Sequence, residues 1–103
     1  MSSEKPVHVV VPTPLRRLTA GVGRVTLAVP EEVTAEGATL ETALLAVDRH
    51  HPGFRDAIAT PAGEPMPFVQ LFVGGTNVRR SGGLATAVSP GDEIRVMSAV
   101  AGG

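Results

Sequence analysis

The residues of this 103-residue chain with the clearest chemical potential are its last ones: Ala99, Val100, Ala101, Gly102 and Gly103 set a main-chain carboxylate behind two glycines. Glycine has no Cβ to clash and accepts unusual φ/ψ, so such an arm can enter a narrow active site on a partner. The side chains offer less. There is no cysteine, which excludes disulfide frameworks, thiolate metal sites, iron–sulfur clusters and cysteine nucleophiles together. Any sulfur chemistry must therefore use something other than a side-chain thiol. His8 has no serine or aspartate at a recognisable motif spacing, and the chain holds no nucleophile elbow, Walker loop or HExxH. His50 and His51 are adjacent, point in different directions and lack a spaced third ligand, so no metal site is assigned. Gly82 and Gly83 lack the lysine-bearing strand–loop–helix unit of a phosphate loop and read as a turn; Arg79 and Arg80 read as charges protecting a solvated edge strand.

Composition narrows the partners. Nine Lys+Arg against ten Asp+Glu give a net charge of -1, with three Phe and no Tyr or Trp, so neither a basic footprint nor a base-stacking platform for nucleic acid is present. A hydrophobic fraction of 43% can form a core despite 12 Gly and 9 Pro, and the length is that of one domain. The apolar run at residues 7–11 is too short for a signal sequence and no stretch suits a membrane span. The expectation is a soluble cytoplasmic protein with no membrane partner.

The elements that must position the tail can be read from periodicity. Residues 7–11 form a β-branched run closed by Pro12 and Pro14, and residues 24–30 alternate with Val25, Leu27 and Val29 on one face. A connection of about a dozen residues suits a wide antiparallel hairpin between them. Leu40, Ala43, Leu44 and Val47 fall at helical spacing after Thr39 as N-cap, with Glu41 in the first turn and Pro52-Gly53 as the stop. Phe54, Ala57 and Ile58 predict one more helical turn, and residues 60–67 an exposed loop with three prolines. Residues 68–73 predict a third strand, 77–80 a short edge strand, 84–88 a single turn of helix, Pro90-Gly91-Asp92 a turn, and 93–98 the last strand. This order is α+β: a small mixed β-β-α-β-β sheet covered on one face by one helix, as in the β-grasp, with the first and last strands parallel at the centre. The domain spans residues 1–98 and the flexible tail 99–103.

Alternation also gives the sheet a second face. If Val69, Leu71, Val73, Ile94 and Val96 meet the helix, then Phe68, Gln70, Phe72, Arg95 and Met97 lie opposite. Apolar groups left in water there form a candidate partner patch; the competing reading packs them under the 60–67 loop.

The run from Val78 through Arg79-Arg80-Ser81-Gly82-Gly83-Leu84-Ala85-Thr86, the Pro-Gly-Asp turn, the strand after it and the ending at Gly103 resemble the ubiquitin-like sulfur carriers of the ThiS/MoaD family, in particular its CysO branch. The resemblance makes Ser81, Gly82, Gly83 and Leu84 a family turn motif and the open sheet face the docking surface. It implies that Gly103 is adenylated by an ATP-dependent activating enzyme of the MoeB type and then converted to a thiocarboxylate, with no further segment to remove. The chain would then be a carrier with no active site and no bound cofactor of its own. The implied acceptor is a pyridoxal-phosphate cysteine synthase, followed by a metalloprotease that releases the amino acid, or a natural-product sulfur-transfer enzyme. Two alternatives use the same fold: a ubiquitin-like modifier conjugated through Gly103 to lysines, and a β-grasp binding module that carries nothing.

Overall fold

Residues 6–27 and 38–98 are described by a computed structural model of the chain. The first strand, β1 (Val7–Val10), lies between β2 (Arg24–Leu27), antiparallel to it, and the last strand β5 (Glu93–Ser98), parallel to it in the register Val9↔Ile94. On the other side of β5 come β3 (Val69–Val73) and the two-residue β4 (Thr76–Asn77), both antiparallel, giving the order β2-β1-β5-β3-β4. The parallel central pair of first and last strands is the β-grasp arrangement that the element order predicts.

Helix α1 (Leu40–His50) forms where the spacing placed it, and its cap is reciprocal: the Thr42 amide donates to Thr39 Oγ1 at 3.3 Å and the Thr39 amide to Thr42 Oγ1 at 2.9 Å. Such a cap contributes about 1 kcal/mol. Leu40, Ala43, Leu44 and Val47 share one core with Val7, Val9, Leu71, Ile94 and Val96, all essentially inaccessible to water. Helix α2 (Phe54–Ile58) follows as expected and adds Phe54 and Ile58; each such large side chain contributes roughly 2–3 kcal/mol by its burial.

The structure differs from the expectations in four places. Residues 13–19 form a 3-10 helix, Thr13–Thr19, instead of an irregular hairpin loop: Pro14 sits at its start, where a missing N–H is harmless, and Leu15 and Thr19 are buried. The edge strand expected at 77–80 is only Thr76–Asn77, because the Asn77 Oδ1 accepts the Arg79 amide at 2.9 Å and turns residues Val78–Arg80 into a 3-10 turn that buries Val78. The strand expected from Phe68 begins at Val69, and the 84–88 turn appears as a 3-10 turn at Gly83–Ala85. The expected strand residues 28–30 lie outside the described residues. Among the described residues no helix is long and apolar enough to cross a membrane.

Candidate functional site

Period-two alternation in five paired strands divides their side chains between the core and one open face. Opposite the helix, the registers bring Arg24, Val10, Arg95, Phe72 and Asn77 into one row across the sheet, with Gln70 and Met97 paired in the next. Phe68 sits in the turn just before β3 and is 47% exposed; Met97 is 44% exposed, Gln70 and Arg95 are exposed, and Phe72 is half-buried. Of the five residues expected on this face, the registers place Gln70, Phe72, Arg95 and Met97 on it, and Phe68 is exposed in the turn at its border. The 60–67 loop does not cover them. Its hydrogen bonds run to the other side, from the Met66 amide to Ile58 O at 2.9 Å and from the Leu84 amide to Gly63 O at 3.0 Å, while Met66 packs against the core.

The charged part of the face is two guanidinium groups around one carboxylate. Arg95 Nη2 donates to Glu93 Oε1 at 3.0 Å and Arg24 Nη1 lies 3.7 Å from Glu93 Oε2, all three side chains being substantially exposed. Exposed pairs contribute little to stability. Their net positive charge shares the face with apolar Phe72 and Met97, and a surface offering both a carboxylate and an apolar recess would complement it. His8 lies in the same face and its Nδ1 is 3.1 Å from Thr26 Oγ1.

The Ser81, Gly82, Gly83, Leu84 motif is a framework. Gly82 and Gly83 take φ of +108° and +61°, and a Cβ on Gly83 would stand 2.7 Å from the Gly63 carbonyl oxygen that Leu84 binds. Thr86 Oγ1 donates to Gly83 O at 2.7 Å and lies 2.9 Å from Ser81 Oγ, while Leu84 is buried. The motif therefore clamps the 60–67 loop to the body.

Sequence reasoning missed two arginines. Arg55, its side chain only 12% exposed, donates from Nε and Nη2 to the two Glu41 oxygens at 3.0 and 2.9 Å and from Nη1 to Thr60 O at 3.0 Å. The Glu41 hydrogen bonds raise its pKa above the usual guanidinium value against the opposing effect of burial. Arg79, expected only to guard an edge, donates from Nη2 to the carbonyls of Met66 and Val69 at 3.3 and 3.2 Å. Both pairings join residues too distant in sequence for any local period to reveal.

Ala99, Val100, Ala101, Gly102 and Gly103 lie outside the described residues, whereas their root does not: Ser98 ends β5 opposite Val69. Among the described residues no cluster of three His, Asp or Glu side chains could hold a metal ion, and His50 and His51 join none.

Residues 10–103 match the sequence model of the ThiS family. The chain is 35% identical over 99 residues to the sulfur carrier protein CysO of Mycobacterium tuberculosis, covering 94% of this chain and 98% of that protein. It is 36% identical over 72 residues to a putative sulfur carrier protein of Archaeoglobus fulgidus, covering 70% and 82%. Its fold superposes on a chain of the crystal structure of the Amycolatopsis orientalis BexX/CysO complex with a TM-score of 0.75 at 34% identity, covering 94% of this chain and 99% of that one. The β-grasp sheet, the clamped Ser-Gly-Gly-Leu turn and a sequence match running to Gly103 agree: this chain belongs to the ThiS family.

Proposed function

We propose that this protein is a sulfur carrier whose Gly103 carboxylate is the loading point. The observation that carries the reading is similarity to sulfur carrier protein CysO over nearly the whole of both chains, together with the Gly102-Gly103 ending. A carboxylate is a poor acyl donor. Attack of its oxygen on the α-phosphorus of ATP, held by an activating enzyme of the MoeB type, gives the acyl adenylate and releases pyrophosphate; sulfide then attacks the carbonyl carbon and AMP leaves, giving a thiocarboxylate. All catalysis belongs to the partners, and this chain is a carrier without an active site.

The thiocarboxylate is a soft nucleophile that passes sulfur to an acceptor held by a second enzyme. The BexX/CysO complex supports a sulfur-accepting partner protein, and the resemblance to the CysO branch implies a pyridoxal-phosphate cysteine synthase with a metalloprotease to release the product, or a natural-product sulfur-transfer enzyme. Docking uses the open face of Phe68, Gln70, Phe72, Arg95 and Met97, of which Arg95 and Met97 lie on β5, the strand that leads to the tail. The setting for this chemistry is the cytoplasm.

The test is mass spectrometry after incubation with ATP, sulfide and a MoeB-type activating enzyme, followed by iodoacetamide. Oxygen-to-sulfur exchange nearly matches methionine oxidation in nominal mass, and Met1, Met66 and Met97 are present, so alkylation is needed to tell them apart. The expected result is one alkylated adduct at Gly102-Gly103, absent when alanine is appended after Gly103. No adduct, with the enzyme active on its own carrier, overturns the reading.

A further inference from the structure

An aromatic ring with nearly half its surface in water, at the tip of a tight turn, stays in place only if something holds the turn. The Val69 amide donates to Met66 O at 2.9 Å, which closes a four-residue turn with Pro67 and Phe68 at its two central positions. Pro67 presets the first central φ, and Phe68 follows as the 47% exposed tip. Neither outer residue is anchored by a neighbouring strand on the edge side. β4 pairs only with Phe72 and Val73, so among the described residues no strand lies beside the edge of β3 at Val69. Arg79 fills that gap: its Nη2 reaches both the Met66 and the Val69 carbonyls at 3.3 and 3.2 Å. One guanidinium nitrogen thus bridges the first and last residues of the Phe68 turn. The 3-10 turn at Val78–Arg80, set by the Asn77 cap and the burial of Val78, aims Arg79 there.

We propose that Arg79 is a positioning residue for partner docking: by tying Met66 O to Val69 O it holds the Phe68 turn in its binding conformation, so that the ring meets the activating enzyme already ordered. The inference rests on the docking face of the proposed function. Arg79 itself touches no partner in this account. Its contribution is the ordering of Phe68, which binding would otherwise have to supply.

The test is a double-mutant cycle on the full chain, read as KM and kcat for the carrier in ATP–pyrophosphate exchange with a MoeB-type activating enzyme. Arg79→Gln is expected to raise KM roughly three- to tenfold with kcat unchanged, the scale of ordering one aromatic side chain. Phe68→Ala raises KM by at least as much, and Arg79→Gln added to Phe68→Ala raises it no further. Arg79→Lys, which keeps a donor within reach, recovers part of the loss. Hydrogen exchange of the Val69 amide gives a readout free of any partner: Arg79→Gln should accelerate it selectively, leaving the Val96 and Leu71 amides protected. If the Arg79→Gln effect persists in full in the Phe68→Ala background, or is absent from the wild-type background, or the Val69 amide is unaffected, the inference is wrong. If Phe68→Ala and Phe72→Ala both leave KM unchanged while adenylation proceeds, the docking face is wrong and the inference falls with it. Should Arg79→Gln lower the melting temperature into the assay range, the same cycle is run with Arg79→Lys, where the partial effect must likewise vanish with Phe68→Ala.

Discussion

Substituting alanine at each of two adjacent glycines separates backbone strain from steric clamping. Gly82 has φ +108° and no heavy atom within 4 Å of the position a methyl group would take, so Gly82→Ala meets only the left-handed penalty of about 1 kcal/mol. Gly83 has φ +61°, and its added Cβ would lie 2.7 Å from the Gly63 backbone oxygen, a contact no side-chain rotation can relieve. The 61–64 segment must retreat, which breaks the 3.0 Å bond from the Leu84 amide to Gly63 O at a further cost of about 1 kcal/mol. Gly83→Ala is therefore expected to destabilise by about 2–3 kcal/mol. In a domain of this size each kcal/mol lowers the melting temperature by roughly 4–8 °C, so Gly83→Ala should melt about 10–20 °C lower and Gly82→Ala about 5 °C lower. Far-UV circular dichroism is the assay, since the chain has no Trp or Tyr for fluorescence. Equal losses, or a larger loss at Gly82, would refute the clamp.

Arg55→Ala should destabilise by about 2 kcal/mol, below the usual range for a broken buried pair because Glu41 is a third exposed, and urea unfolding measures it. The raised pKa of Arg55 means that its contribution is complete at every pH below the unfolded value and declines only as pH rises through the higher folded value, so the urea midpoint gap between wild type and Arg55→Ala should stay flat from pH 7 to 10. Thr39→Ala removes one half of the α1 capping box and should cost about 1 kcal/mol in the same experiment. Met97→Ser should leave the melting temperature nearly unchanged and Phe72→Ser, which loses a half-buried ring, should lower it by roughly 5 °C, while each raises the KM for adenylation about tenfold. Arg95→Glu should raise KM most at low salt, and the gap to wild type should narrow in 0.5 M NaCl; a salt-independent gap would remove electrostatics from docking.

Where the sequence was legible, a short-range physical rule was in command. The α1 spacing of Leu40, Ala43, Leu44 and Val47, the Thr39 cap, the Pro90-Gly91-Asp92 turn and the β5 bounds of Glu93–Ser98 all follow from residues within one or two turns of each other. Face assignment followed as well, since alternation in β3 and β5 needs no knowledge of the partner strand. The failures are places where a side chain overrode local propensity or reached far along the chain. Asn77 ended β4 by capping Arg79, which no strand propensity anticipates. Gly83 was legible as a turn but not as a clamp, because the atom it must avoid, Gly63 O, is twenty residues away in sequence. Arg79 read as a charge guarding an edge strand and Arg55 carried no local signal, and only the tertiary fold shows Arg55 paired with Glu41 and Arg79 bridging Met66 and Val69.

The position of β5 links recognition to delivery. It is the central strand, paired to β1 on one side and β3 on the other, so Arg95 cannot shift without breaking two ladders, nor Met97 without breaking its pairing to Gln70. Ser98 follows Met97 directly, and five residues then separate Ser98 from the end of the sequence. Covalent geometry limits five residues to about 17 Å when fully extended. Any enzyme that acts on Gly103 while the open face is docked must therefore hold its reacting centre within about that distance of the Ser98 position. On the proposed function, an activating enzyme and a sulfur acceptor that both used this face would each need a reacting centre within that reach of the same footprint, and would therefore compete for the carrier.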